Sequence, residues 1–230
     1  MEYTIAIDMG GTIVKLGLLG NGELLDSLRL DSQLSLGFVP NLPRLKDAVN
    51  SLLSRRGIPP HRLSGIGLAF PGLVDPNKCR VISTNEKYDD ACSFDMHRWV
   101  RENWDVPFRM DNDARLAVVG EWRRGAAAGK DNVVMMTIGT GIGTGVILDG
   151  NVLYGRHFQA GSLGGHFVID YKGRGCSCGN KGCVEAMASS FFLPAIIRQH
   201  PDLPESFKEG AGGIDFKELF RLADEGEANA

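Results

Sequence analysis

The chain has no surplus of positive charge. Its 25 Lys and Arg stand against 28 Asp and Glu, a net charge of −3, and the pI is about 6.0. Affinity for a phosphate backbone needs cationic contacts, so charge gives a nucleic-acid partner no support. No run approaches the ~18 apolar residues that span a bilayer. The opening MEYTIAIDMGG lacks a basic segment leading into a long apolar one, so neither a secretory leader nor a membrane partner is expected. These absences predict a cytoplasmic protein whose thiols stay reduced. Cysteine is sparse, with five in 230 residues, and no C-x-x-C redox pair occurs. The P-loop pattern GxxxxGK[ST] is missing too.

What is present is an ordinary globular composition, 43% hydrophobic and 23% charged, long enough to bury a core as one large domain or two small ones. The excess is glycine, 30 residues, about twice the usual share. The glycines gather at 10–11, 139–145, 161–165 and 173–182, as turns that bring backbone close to something would require.

Short β-rich runs at 4–9 and 13–19 flank Gly10-Gly11 and read as a hairpin, with 23–30 as a third strand. Leu42, Leu45, Ala48, Val49, Leu52 and Leu53 recur at helical spacing, and Arg55-Arg56-Gly57 closes that helix. GIGLAF (65–70) reads as a buried strand stopped by Pro71-Gly72. A helix over 95–103, a strand over 107–110 and a helix over about 112–126 follow. From 132 the strand, glycine turn, strand pattern restarts in VVMMTIGTGIGTGVIL. The boundary between halves then falls near 111–130, giving an N-terminal α/β lobe at 1–115 and a second lobe at 116–230. Residues 189–200 and 214–226 read as helices.

CSCGNKGC packs Cys176, Cys178 and Cys183 into eight residues, with His166 upstream in the spacing H-x9-C-x-C-x4-C. Three thiols and an imidazole suit tetrahedral Zn²⁺, and thiolate softness selects it over Mg²⁺ or Ca²⁺. A disulfide would need an oxidising compartment and leave one cysteine odd. Unrelated buried thiols are the remaining alternative. With four ligands the zinc shell is closed, so the metal would be structural. Cys79 and Cys92 stand apart as small buried hydrophobes.

Asp8-Met9-Gly10-Gly11-Thr12 sets a carboxylate at a strand end, then a turn with little side-chain bulk, then a hydroxyl. Its backbone N–H groups can cradle phosphate, and Asp8 can reach a phosphate-bound Mg²⁺ directly or through water. Lys15 on the next strand completes this first candidate nucleotide-binding set. Gly139, Thr140 and Gly141 form a second such turn. Either alone reads equally as an ordinary hairpin turn. Two of them, one opening each half, fit a nucleotide gripped between two lobes. Asp113, in DNDARLAVVGEW, is read equally as a helix cap or as a general base for phosphoryl transfer.

Together these stretches resemble the ROK family of bacterial sugar kinases and sugar-responsive repressors. DMGGT resembles its N-terminal phosphate motif, Ala69-Phe70-Pro71-Gly72 its A-x-P-G turn, and Asn112-Asp113-Ala114 its N-D-A motif. IGTGIGTGVI resembles its second phosphate motif. GGHFVID with CSCGNKGCVEAMAS resembles its zinc-bearing signature. The resemblance covers residue 3 to about 200. It implies a two-lobed, actin-like (ribonuclease-H-like) fold with ATP-Mg²⁺ between the glycine turns and the sugar deeper in the cleft. Asp113 would be the general base and Asn112 would hold neighbouring hydroxyls. His166 would bind zinc through one nitrogen and face the sugar with the other. Glu185 would accept from sugar hydroxyls, and Asn85 in STNEKYDD would be a further contact. Family members commonly pair, so a homodimer is expected.

The sequence departs from the family in two places. Gly161-Ser162-Leu163-Gly164-Gly165-His166 lacks the glutamate the family sets before this histidine. Leu163 stands in its place, or Ser162 does if one residue is inserted. Family kinases also continue past residue 230, through an adenine-binding segment and a last helix that packs on the first lobe. The preferred expectation is an ATP-dependent kinase acting on a hexose or amino sugar. One alternative is a non-enzymatic sugar-binding regulator. Family repressors carry a helix-turn-helix domain before this fold, whereas here the first strand begins near Tyr3 and no basic patch accompanies it. The other alternative is a truncated kinase-like fragment with little activity.

Overall fold

The computed structural model describes residues 2–84, 87–199, 221, 224 and 225. The chain opens with β1 (Tyr3–Met9), β2 (Ile13–Gly20) and β3 (Glu23–Asp31), followed by α1 (Leu42–Arg55). β4 (Leu63–Phe70), β5 (Leu73–Asp75), β6 (Arg80–Ser83), α2 (Met96–Trp104), β7 (Phe108–Asn112) and α3 (Asp113–Arg124) come next. β8 (Val133–Ile138), β9 (Ile142–Leu148), β10 (Asn151–Val152), α4 (Val184–Ala188) and α5 (Leu193–Gln199) complete the described strands and α-helices.

Five strands form one mixed sheet in the order β3-β2-β1-β4-β7. The first three run as an antiparallel meander, whereas β4 lies parallel to β1 and β7 parallel to β4. Strand periodicity sends alternate residues to one face. Ile5, Ile7 and Met9 of β1, Val14, Leu16 and Leu18 of β2, and Ile66, Leu68 and Phe70 of β4 are thereby all buried. They share one core with Leu45, Val49, Leu52 and Leu53 from the apolar stripe of α1, and with Val100 of α2. Each such burial contributes about 1.5–3 kcal/mol before chain entropy is charged against it. A smaller sheet has the order β10-β9-β8, and β5 pairs with β6.

Contacts divide the chain into two compact units. One comprises Met1–Met135 with Thr144–Ser162, the other Met136–Gly143 with Leu163–Ala230. The tip of the β8–β9 hairpin thus belongs with the cysteine loop. Among the described residues no helix is long and apolar enough to cross a membrane.

The helix expected over 189–200 is corrected. Ser189 to Phe192 is bend and turn, and α5 starts only at Leu193. Pro194 sits at its second residue, where a fixed φ and a missing N–H cost nothing. The five-residue α4 ahead of it was too short to show periodicity. The expected helix at 214–226 falls largely outside the described residues, and Asn85 falls wholly outside them.

Candidate functional site

In the first unit the parallel strands place three turns together. Asp8 pairs in register with Ala69, and Phe70 with Asn112. The carboxyl ends of β1, β4 and β7 therefore finish side by side, bringing DMGGT, Phe70-Pro71-Gly72 and Asn112-Asp113 to one sheet edge. Ligands of open α/β sheets bind at such an edge. Asp8 also pairs across the first hairpin with Lys15, and their side chains form an ion pair of 3.2 Å.

The turn between β1 and β2 is pinned from behind. Ser32 Oγ donates to the Gly11 carbonyl at 2.7 Å, and the Tyr88 hydroxyl reaches the Gly10 carbonyl at 3.3 Å. A Cβ on Gly10 would collide with the Ile13 carbonyl, so the turn requires glycine there. Thr12 is exposed at its far side. The Lys87 ammonium lies 3.6 Å from where a Cβ on Gly11 would stand. Ser32, Tyr88 and Lys87 escaped sequence reading because no motif spacing connects them to the glycines.

Asn112 is the N-cap of α3, its Oδ1 accepting from Arg115 N at 3.0 Å. Its amide donates to the Gly72 carbonyl at 3.0 Å and to Asp113 Oδ1 at 2.9 Å. Asp113 is the first residue inside the helix, and its Oδ1 also accepts from Ala114 N at 2.8 Å. Burial pushes the Asp113 carboxyl above its ordinary range, and the nearby Asp8 charge adds to that. The Ala114 N–H, the Lys87 charge and the Asn112 amide oppose it.

In the second unit the cysteine loop closes on itself. Cys176 N donates to the Asn180 carbonyl at 2.8 Å and Gly182 N to the Arg174 carbonyl at 2.8 Å. Gly182 has φ 67° with the Asp170 carbonyl where a side chain would stand, a position only glycine fills without strain. His166, Cys176, Cys178 and Cys183 present ligand atoms all within 4.8 Å of one another. Cys178 Sγ lies 3.6 Å from Cys183 Sγ, and Cys176 Sγ lies 3.7 Å from His166 Nδ1. A tetrahedral zinc with Zn–S near 2.3 Å separates its sulfurs by ~3.8 Å. Donor chemistry and spacing therefore both fit that ion. The cysteines are free thiols.

The last of these cysteines also positions the next candidate residue. Cys183 is the N-cap of α4, whose second residue is Glu185. Glu185 Oε2 accepts from Ile142 N at 2.8 Å, directly after Gly139, Thr140 and Gly141. Gly139 is held in turn by Ser190 N, which donates to its carbonyl at 2.9 Å. So Glu185 closes the second glycine turn through one carboxylate oxygen, a contact that no motif spacing signals.

Comparison with known proteins places this architecture. The ROK family profile matches residues 4–230, and the chain belongs to the ROK family. A glucokinase of Halalkalibacterium halodurans is 30% identical over the whole of this chain and 71% of its own length. A xylose repressor of Bacillus spizizenii is 34% identical over 81% of this chain, which spans about half, 48%, of the repressor. The structure of a ROK glucokinase from Streptomyces griseus, solved with glucose and AMPPNP, superposes with a TM-score of 0.79 at 26% identity. That match covers 98% of this chain and 72% of the other. The fold is the mixed α/β, actin-like ATPase fold of the ROK kinases.

Proposed function

We propose that the chain belongs to an ATP-dependent kinase that phosphorylates a hydroxyl of a hexose or amino sugar. The observation that carries the reading is Asp113. Its carboxylate stands at the sheet edge beside the Asp8–Thr12 turn, with a pKa raised by burial toward the range where a carboxylate accepts protons effectively. Oδ1 is held by Ala114 and Asn112, which leaves Oδ2 to take the proton. As the sugar hydroxyl loses its proton to Oδ2, its oxygen bonds to the γ-phosphorus. The bond from that phosphorus to the β–γ bridging oxygen breaks, and ADP departs.

The remaining assignments follow the same chemistry. The backbone of Gly10, Gly11 and Thr12 offers N–H groups to phosphate, Asp8 binds the accompanying Mg²⁺ directly or through water, and Lys15 adds a cation. Gly139, Thr140 and Gly141 are the second phosphate-contacting turn. The second lone pair of Asn112 Oδ1 accepts from a sugar hydroxyl. His166 ligates zinc through Nδ1 with Cys176, Cys178 and Cys183, and turns Nε2 to the sugar. Glu185 uses its second oxygen for a hydroxyl, and Asn85 supplies a further contact. Zinc, when bound, supplies no chemistry beyond fixing these side chains in place.

The similarity to a glucokinase and to a glucose–AMPPNP complex supports this reading. A second reading has its own support in the 34% identity to a xylose repressor, namely a sugar-binding regulator that performs no transfer. A panel of hexoses, pentoses and amino sugars with ATP-Mg²⁺, followed by ADP release and by calorimetric sugar binding, separates them. Sugar-dependent ADP release is expected. Tight sugar binding without any ADP release would establish the regulator instead.

A further inference from the structure

Arg115 has the largest side chain buried to its degree among the described residues, 1% exposed. Burying a guanidinium is unfavourable unless its charge and its N–H groups are all answered. Here they are. Nη1 donates to Asp111 Oδ1 at 2.7 Å, and Nη2 donates to the Phe158 carbonyl at 2.8 Å and reaches Ser162 Oγ at 3.3 Å. The guanidinium lies over the Tyr154 ring, 4.7 Å from its centre. The Tyr154 hydroxyl in turn donates to Asp111 Oδ2 at 2.9 Å, and burial together with the Asp111 charge pushes its pKa up to about 12.

Two consequences follow from the chain positions involved. Asp111 is the next-to-last residue of β7, just before Asn112-Asp113, and Arg115 lies in the first turn just after them, so one ion pair brackets Asp113 on both sides. The same guanidinium holds the segment 154–162, where Phe158 adopts a left-handed φ of 58° that a bulky residue keeps only when its surroundings impose it. Ser162 Oγ also donates to the Gln159 carbonyl at 3.2 Å, so its hydroxyl is occupied within this arrangement.

We propose that Arg115 is a positioning residue that straps the segment 154–162 to the Asp113-bearing turn, so that the two move as one piece when the acceptor hydroxyl is seated. The proposal rests on the kinase reading for its effect on turnover, but not for the strap itself. Arg115→Met leaves Asp111 buried without its counter-charge and can fail to fold, so Arg115→Lys and Ser162→Ala carry the test. Lysine keeps the charge but cannot reach Asp111 and Phe158 together.

Two readings are taken on each folded variant: hydrogen exchange over 154–162 and 111–115, and steady-state kinetics with sugar and ATP varied separately. Faster exchange in both segments is expected. For Arg115→Lys a fall in kcat on the order of 10- to 100-fold is expected, the cost of misplacing a reacting group. The sugar KM should rise while the ATP KM holds. Unchanged exchange in 154–162 overturns the strap, whatever the turnover. Normal kcat and sugar KM despite faster exchange overturns the positioning role. A wild-type chain without turnover, alongside faster exchange in Arg115→Lys, overturns the kinase reading and leaves the strap standing. If Arg115→Lys does not fold, Ser162→Ala decides by the same readings.

Discussion

Asn112, rather than Asp113, caps α3, and the same side chain holds the Asp113 carboxylate. Asn112 Oδ1 caps α3 through Arg115 N, while its amide holds Asp113 Oδ1 at 2.9 Å. Asp113 is thereby relieved of capping and oriented by its neighbour. Asp113→Asn should then lower kcat by about 10²- to 10⁴-fold, the usual contribution of general base catalysis, with sugar binding retained by calorimetry. Near-normal turnover would reduce Asp113 to a structural first-turn acid.

The direction of the Asp113 shift makes a separate statement about pH. Burial favours the protonated form, so this group's contribution to stability is full below the unfolded value of 3.8 and is lost as pH rises through the folded pKa. Above that folded pKa the ionised Asp113 opposes folding. Asp113→Asn should therefore melt no lower than wild type at neutral pH, and its melting temperature should depend less on pH across the acid limb. A lower neutral melting point would show that the charge is compensated in the fold. The same pKa should set an acid limb on kcat/KM, with activity rising as pH passes above it.

Much of the fold was legible because its signals are local. The strands of the meander, α1, α2 and α3 each carry a period or a turn that a short window reveals, and the cysteine ligands sit within eight residues of one another. The unread parts depend on contacts distant in sequence. Ser32 and Tyr88 reach the Gly10-Gly11 turn from 21 and 78 residues away. Arg115 finds Phe158 and Ser162 across 43 and 47. Glu185 meets Ile142 across 43. Arg115 in particular carries no motif in the sequence, and only the fold shows it enclosed.

The Asp8–Lys15 pair joins side chains that are 43% and 57% exposed. Such pairs contribute roughly 0–1 kcal/mol, so Asp8→Asn should leave the melting temperature nearly unchanged. If Asp8 serves Mg²⁺-phosphate, the same variant should raise the Mg²⁺ concentration needed for half-maximal turnover while the sugar KM holds. Unaltered Mg²⁺ dependence would confine the carboxylate to pairing with Lys15.

Glu185 separates a structural from a ligand role by its two conservative changes. Glu185→Gln keeps an oxygen for Ile142 N, so the Gly139–Gly141 turn should hold and the sugar KM alone should rise. Glu185→Ala removes the acceptor from a part-buried N–H, a loss of about 1–3 kcal/mol, so melting temperature and ATP KM should suffer as well. Identical behaviour of the two variants would mean that the Ile142 bond contributes nothing to the turn.

The Cys3His set yields the sharpest count. Metal analysis of the purified chain should find about one zinc per chain, because four ligands of this kind close one tetrahedral shell. Of the five cysteines, Cys176, Cys178 and Cys183 should resist thiol reagents until a chelator is added. Cys178, the exposed member of the set, should be as protected as its buried neighbours, which burial alone cannot explain. Cys178→Ser should lose the zinc and increase hydrogen exchange from His166 through Glu185, since metal and loop folding are linked. The α1 and β1–β4 core should melt as before. A zinc-free chain with Cys178 readily modified and the loop still ordered would overturn the metal assignment.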